Sequence, residues 1–270
     1  MRVGLSTCPN DTFLFAPLLE GRVDTEGLEL EFVLADVQEL NEELEAGRLE
    51  VSKASFATAL ALADRYGVLP VGSALGFGVG PVLLTRPDAP DPLPADAHVL
   101  CPGEGTTATL LMRCLHPDQR GLEQVRFDAI MPALARGEAD AGVCIHEGRF
   151  TWAEQGLALR EDLGARWERE TGHPVPLGGL LHRLDLPGPE LAALCRALRA
   201  SLAAARAAPE RCLETMRRHA QELADDVIWQ HVELYVNDHT TELGEVGRAC
   251  LAELARRSGA PRAPSVLDVP

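Results

Sequence analysis

Apolar and polar residues follow one another along this chain in two rhythms. Short apolar runs bounded by turn residues read as strands, while apolar positions three and four apart read as amphipathic helices. Residues 2–5 make a first strand, followed by a polar turn at Ser6-Thr7-Cys8-Pro9-Asn10-Asp11-Thr12. Asp11 or Thr12 is expected to cap a helix to about Glu20, stopped by Gly21, although Pro17 inside it removes a backbone donor. Residues 28–34 alternate apolar and acidic positions, as a half-exposed strand does. Asp36 then caps a helix with Val37, Leu40 and Leu44 on one face, closed by Gly47. Residues 49–53 form a brief strand, and Ser55 caps a helix to about Tyr66. Residues 68–71 and 81–85 are two more strands.

Four prolines between residues 87 and 94 break the pattern as a linker does, and afterwards it starts again. Residues 99–101 are a strand, 102–105 a turn, and Thr106 or Thr107 caps a helix to about Leu115. A helix over 128–136, stopped by Gly137, leads into an apolar run that ends on His146, with Glu147, Arg149, Thr151 and Trp152 close behind. This second series echoes the first. Leu44 to Val51 and Leu134 to Ala141 share the pattern Leu-x-x-Gly-x-apolar-acid-apolar, and the strand, turn and capped helix at 3–12 correspond to those at 99–107. Two matches in the same order indicate a repeated α/β unit. The expected architecture is therefore α/β with two lobes, residues 1–86 with 175–270 in one and 87–174 in the other. Residues 175–181 return as a strand. Helices follow at 189–207, 209–219, 225–236 and 245–257, the first with Leu191, Leu194, Leu198 and Leu202 on one face. Lobes facing each other would bring Lys53, Ser55 and His146, all at strand ends, to one cleft, where open sheets bind ligands.

Composition narrows the partners. With 25 Lys and Arg against 41 Asp and Glu, a net charge of -16 disfavours nucleic acid while leaving small anions possible. No apolar run approaches the ~20 residues that span a bilayer, and no leader is recognised at the start, so no membrane partner and a cytoplasmic location are expected. Seven scattered cysteines without a C-x-x-C pair read as free thiols, and no cluster at ligand spacing indicates a metal.

Candidate chemistry lies at the strand ends. Lys53 is expected to reach a cleft or a carboxylate, because an unpaired buried ammonium is costly. Arg149 either clamps a ligand carboxylate or pairs with Glu147 or Asp140. Thr106 and Thr107 offer hydroxyls and free amides at a helix start, unless they merely cap it. Asn10 and Asp11 are read first as shaping their turn, with Asn10 kept among the binding candidates. Cys8 has no histidine as its sequence neighbour, and a nucleophilic role is not favoured. His219 and His231 fall on helices and read as packed or exposed. Gly76-Phe77-Gly78-Val79-Gly80 is superficially similar to a dinucleotide fingerprint but precedes a strand, so it reads as a hinge or close-approach loop.

Several stretches taken together resemble the 1,4-dihydroxy-6-naphthoate synthase family of the futalosine route to menaquinone. They are Ser6-Thr7-Cys8-Pro9-Asn10-Asp11-Thr12-Phe13, Ser52-Lys53-Ala54-Ser55, Pro102-Gly103-Glu104-Gly105-Thr106-Thr107-Ala108, Ile145-His146-Glu147-Gly148-Arg149-Phe150-Thr151 and His231-Val232-Glu233-Leu234-Tyr235-Val236-Asn237. The resemblance implies a type II periplasmic-binding-protein-like fold with a central interlobe cleft, used as a carbon–carbon lyase without cofactor. The implied substrate is cyclic dehypoxanthinyl futalosine, cleaved to dihydroxynaphthoate and a dihydroxyacetone fragment; separately, a monomer or homodimer is expected. It further implies His146 as proton acceptor, with Lys53, Ala54 and Ser55 lining the substrate and Thr106-Thr107 holding its polar end. Two other readings share the fold type: chorismate dehydratase, and a non-enzymatic protein that binds small carboxylates.

Overall fold

The computed structural model describes residues 1–146, 148–220 and 224–269. The chain opens with β1 (Arg2–Ser6), α1 (Pro9–Leu19), β2 (Glu31–Ala35), α2 (Val37–Glu45), β3 (Val51–Ser55), α3 (Phe56–Ala61), β4 (Tyr66–Val68) and β5 (Ala74–Gly76). It continues with β6 (Val82–Thr85), β7 (Val99–Cys101), α4 (Thr107–Leu115), β8 (Leu122–Gln124), α5 (Phe127–Arg136), β9 (Ala141–Cys144), α6 (Gly148–Thr151), β10 (Ala158–Asp162), α7 (Leu163–Thr171) and β11 (Val175–Arg183). Five helices complete it: α8 (Gly188–Ala207), α9 (Leu213–His219), α10 (Asp225–Tyr235), α11 (Asp238–Thr241) and α12 (Gly244–Ser258).

Two sheets carry the fold. The first runs β2-β1-β3-β11-β4, with β5 also on β11; the second runs β10-β6-β9-β7-β8. In each, two parallel strands flank a central first strand, as β2-β1-β3 and β8-β7-β9, and a fourth strand joins antiparallel. The repeat expected from the glycine-stopped helices is thus a repeat of sheet order. Val51 in β3 pairs with Val3 of β1, and Ala141 in β9 pairs with Val99 of β7.

The fourth strands are exchanged between sheets. β11 returns from the second half to lie beside β3. The strand at residues 81–85, expected to end the first lobe, instead pairs with β9 and β10 in the second sheet, so the chain crosses before the prolines rather than at them. All four residues of β6, Val82 to Thr85, are buried there. The crossing is tight: a Cβ on Gly80 would lie 2.2 Å from the Gly164 backbone, so the glycine run is a close-approach loop.

One core packs β1 and β3 against α1 and α8, and the four leucines at 191, 194, 198 and 202 are 2% exposed or less. α1 differs from its expected start. Cys8 is the N-cap, Pro9 takes the first turn, where its missing N–H costs nothing, and Asp11 is inside the helix. Asp36 caps α2 with a full capping box through Glu39, as its sequence predicts. Ser55 precedes α3 without a side-chain cap bond, and that helix ends at Ala61, short of Tyr66. Among the described residues, no helix is long and apolar enough to cross a membrane.

Candidate active site

A cavity opens between the sheets. Its walls include Asn10, Lys53, Ala54, Ser55, Thr106, Thr107 and His146, so the structure brings together every candidate proposed from sequence except Arg149. The guanidinium of Arg149 is spent on the fold instead. It donates to the Gly80 carbonyl at 2.7 Å and to Asp162 at 2.8 Å, binding α6 to the crossover and to β10. Asp140 is not its partner, since that carboxylate accepts from the His98 amide; Glu147 lies outside the described residues.

Most of the site is assembled on the first turn of α1. Cys8, Asn10 and Asp11 each hold a titratable side chain delivered by a different element. Cys8 Sγ lies 3.3 Å from His146 Nδ1 and 3.8 Å from Nε2. The Asn10 Oδ1 lies 2.9 Å from His231 Nε2. The Asp11 carboxylate accepts from Lys53 Nζ at 2.7 Å, Asn10 Nδ2 at 2.9 Å and Ser6 Oγ at 2.6 Å, while Lys53 also donates to the Gly72 carbonyl at 3.0 Å.

His146 leaves β9 with a φ of 53°, a left-handed conformation uncommon for a residue with a side chain. Such backbone costs about 1–3 kcal/mol and persists only where its surroundings hold it. Here Phe127 meets the imidazole edge-on at 4.9 Å, and His231 stacks on it at 6.1 Å between centroids, with 16° between planes. His231 is 1% exposed. Burial pushes it well below the usual imidazole range, and its electrostatic contact with His146 and Lys53 acts in the same direction, which favours the neutral ring. The helical reading of His231 holds, but it is a wall of the cavity rather than packing alone.

Lys53 and Asp11 form a buried ion pair, with side chains 7% and 2% exposed. The expectation that Lys53 finds a cleft or a carboxylate holds for both. Asp11, read as shaping its turn, is the acceptor at the centre of the site. Across the cavity, Thr106 caps α4 by accepting from the Thr109 amide, and its hydroxyl donates to the Gly103 carbonyl at 2.8 Å. The Thr107 hydroxyl donates to Leu177 O at 2.6 Å and accepts from the Ala57 amide at 3.2 Å. Both hydroxyls are thus occupied, which leaves the first-turn amides of α4 as the donors on that side.

Three participants were given only structural or unfavoured readings from sequence: Cys8, Asp11 and His231. The only signal available was co-occurrence of Cys8-Pro9-Asn10-Asp11 with the His231 motif, since their partners lie 138, 42 and 221 residues away. Among the described residues, no group of three His, Cys, Asp or Glu is placed to hold a metal ion.

Residues 1–260 match the menaquinone biosynthesis family. A 1,4-dihydroxy-6-naphtoate synthase of Thermus thermophilus is 46% identical over 256 residues, covering 94% of this chain and 92% of that protein. Its counterpart from Streptomyces coelicolor is 40% identical over 270 residues, covering 96% and 93%. A crystal structure of an Archaeoglobus fulgidus protein superposes with a TM-score of 0.89 at 31% identity, covering 96% of both chains. The aliphatic sulphonate binding protein of Escherichia coli superposes at 0.66 with 15% identity, covering 100% of this chain and 94% of its own, which bears on the fold alone.

Proposed function

Because this chain belongs to the menaquinone biosynthesis family, whose members similar to it are enzymes, we propose that its interlobe cavity cleaves cyclic dehypoxanthinyl futalosine. The products are 1,4-dihydroxy-6-naphthoate and a dihydroxyacetone fragment. The observation that carries this reading is His146, held in a left-handed turn with its imidazole on the cavity beside Cys8.

Breaking a carbon–carbon bond next to a hydroxyl needs a base for the hydroxyl proton and a destination for the bonding electrons. His146 takes the proton, as an imidazole suits near neutral pH. The electron pair passes into the ring system that becomes the aromatic naphthoate. Lys53, fixed by Asp11, sets a positive charge near the reacting end. The Thr107 and Ala108 amides, both at the cavity, receive the substrate carboxylate at the positive end of α4. Ala54 and Ser55 line the wall between these two ends, and Asn10 supports it from α1.

The test is turnover of the cyclic futalosine followed by naphthoate absorbance. His146→Ala is expected to lower kcat by about 10²–10⁴-fold, the usual worth of a general base, in a protein that still unfolds cooperatively. Wild-type turnover in that variant removes His146 from the role. Supplying chorismate instead is expected to give no enolpyruvyl benzoate; its formation identifies a dehydratase.

A further inference from the structure

We infer that His231 is a second imidazole of the substrate site, and that its Nδ1, covered in this structure, accepts a hydrogen bond from a substrate hydroxyl when the cavity is filled. This rests on the reading of the cavity as the lyase site and adds to it an orientation for the bound molecule.

The hydrogen-bond pattern fixes which nitrogen is bare. An ionised carboxylate only accepts, so the Asn10 group 2.9 Å from Asp11 Oδ1 is its amide nitrogen. Asn10 Oδ1 then faces His231 Nε2 at 2.9 Å, and an oxygen there requires Nε2 to carry the proton. A neutral ring with Nε2–H has an unprotonated Nδ1. Burial of the ring, followed by its electrostatic contact with His146 and Lys53, opposes a second proton on it, while the tilted Tyr235 ring and Asp11 beyond Asn10 are the other titratable groups nearby.

Nδ1 of His231 is buried and has no hydrogen-bond partner, and of the side-chain atoms in that state among the described residues it alone belongs to a residue at the cavity. Its neighbours do not supply a donor: the His146 ring stacks at 6.1 Å and the Tyr235 ring lies tilted at 4.5 Å. A buried acceptor left unpaired is costly and selects for a ligand that completes it. A lone pair cannot receive a carboxylate oxygen, so the complement is a hydroxyl. The substrate therefore lies with its hydroxylated end against the edges of the His146 and His231 rings and its acid end at α4.

Two side-chain replacements separate the two nitrogens. In His231→Gln the amide nitrogen replaces Nε2 against Asn10 and the Nδ1 acceptor is lost. In His231→Asn an oxygen can stand near Nδ1 and the Asn10 bond is lost. The expected result is a loss of about 10–100-fold in kcat/KM for His231→Gln, the range for one unmade hydrogen bond to a buried acceptor. His231→Asn is expected to recover part of it, and the pH dependence of both is expected to keep the wild-type midpoint. Wild-type kcat/KM in folded His231→Gln overturns the inference, as does a moved midpoint, which would mean that His231 acts by tuning His146. Nitrogen NMR of the histidine-labelled wild-type protein covers the case in which neither variant folds. It should show Nδ1 of His231 unprotonated, and a proton there overturns the assignment. Wild-type protein inert toward the cyclic futalosine counts against the lyase reading instead, and the NMR result still decides the state of the ring.

Discussion

Asp11 accepts three hydrogen bonds, from Lys53, Asn10 and Ser6, at a place where its side chain is 2% exposed. A buried ion pair adds little net stability over an apolar pair of the same shape, but removing one partner strands the other charge. Asp11→Asn keeps the volume and some acceptors while leaving the Lys53 ammonium uncompensated. We expect it to lower unfolding stability by about 3–5 kcal/mol, read as a lower guanidinium midpoint. A midpoint equal to wild type would mean that Lys53 finds water or another anion. Lys53 was expected to need either a cleft or a carboxylate because the cost of burying an ammonium is a property of the side chain. Which carboxylate it finds is not, because Asp11 is 42 residues away.

At the scale of elements, α12 shows charge placed to hold one helix against another. Glu253 accepts from Arg256 and from Arg257, and Arg257 also donates to Glu170 of α7 at 2.6 Å. The bonds from Arg256 and Arg257 outweigh the desolvation that opposes them and hold the Glu253 carboxyl down at about 2, against 4.5 for the free group. A carboxylate depressed by folding contributes stability above its unfolded pKa, and that contribution is lost as pH falls toward the folded value. Glu253→Gln is therefore expected to melt below wild type at pH 7, with the gap closing as pH drops through about 4.5 toward 2. Parallel melts of the two proteins across that range check it; a gap independent of pH would assign the effect to packing. The helices themselves were legible, since Gly137 and the capping box at Asp36 are local signals. The start of α1 was not. Asp11 reads as a cap by residue type, yet Pro9 moves the first turn back to Cys8.

For the whole molecule, the two sheets are joined by more than their crossing strands. Thr107 at the head of α4 donates to Leu177 in β11 and accepts from Ala57 in α3. The Gly105 carbonyl accepts from Thr58 and the Gly105 amide donates to Gln38, so the turn before α4 is fastened to the first sheet's helices. Cys8 and His146 meet across the same opening. Thr107→Val removes both bonds at that position and leaves two backbone groups unpaired, worth about 1–3 kcal/mol each. We expect a lower melting temperature and a raised KM with kcat nearly kept. A larger radius of gyration in X-ray scattering should accompany it as the lobes part, and an unchanged KM would show that this tie does not shape the cavity.

What the sequence by itself determined is what short range dictates. Glycines that end helices, apolar runs of strand length and the echo between residues 44–51 and 134–141 settled the α/β class and the repeated unit. The strands leading to Lys53 and His146 follow from the same spacing, although Lys53, expected as the last residue of its strand, sits at the middle of β3 and His146 lies two residues past β9. The tertiary structure decided which strand joins which sheet, because β6 and β11 both read simply as strands and only the crossing assigns them. It also decided the partners of Cys8, Asn10, Asp11 and Arg149. Hydrogen bonds between residues 138 or 221 positions apart leave no periodic trace, since their geometry is fixed by how the sheets and helices pack and not by any neighbour in the chain.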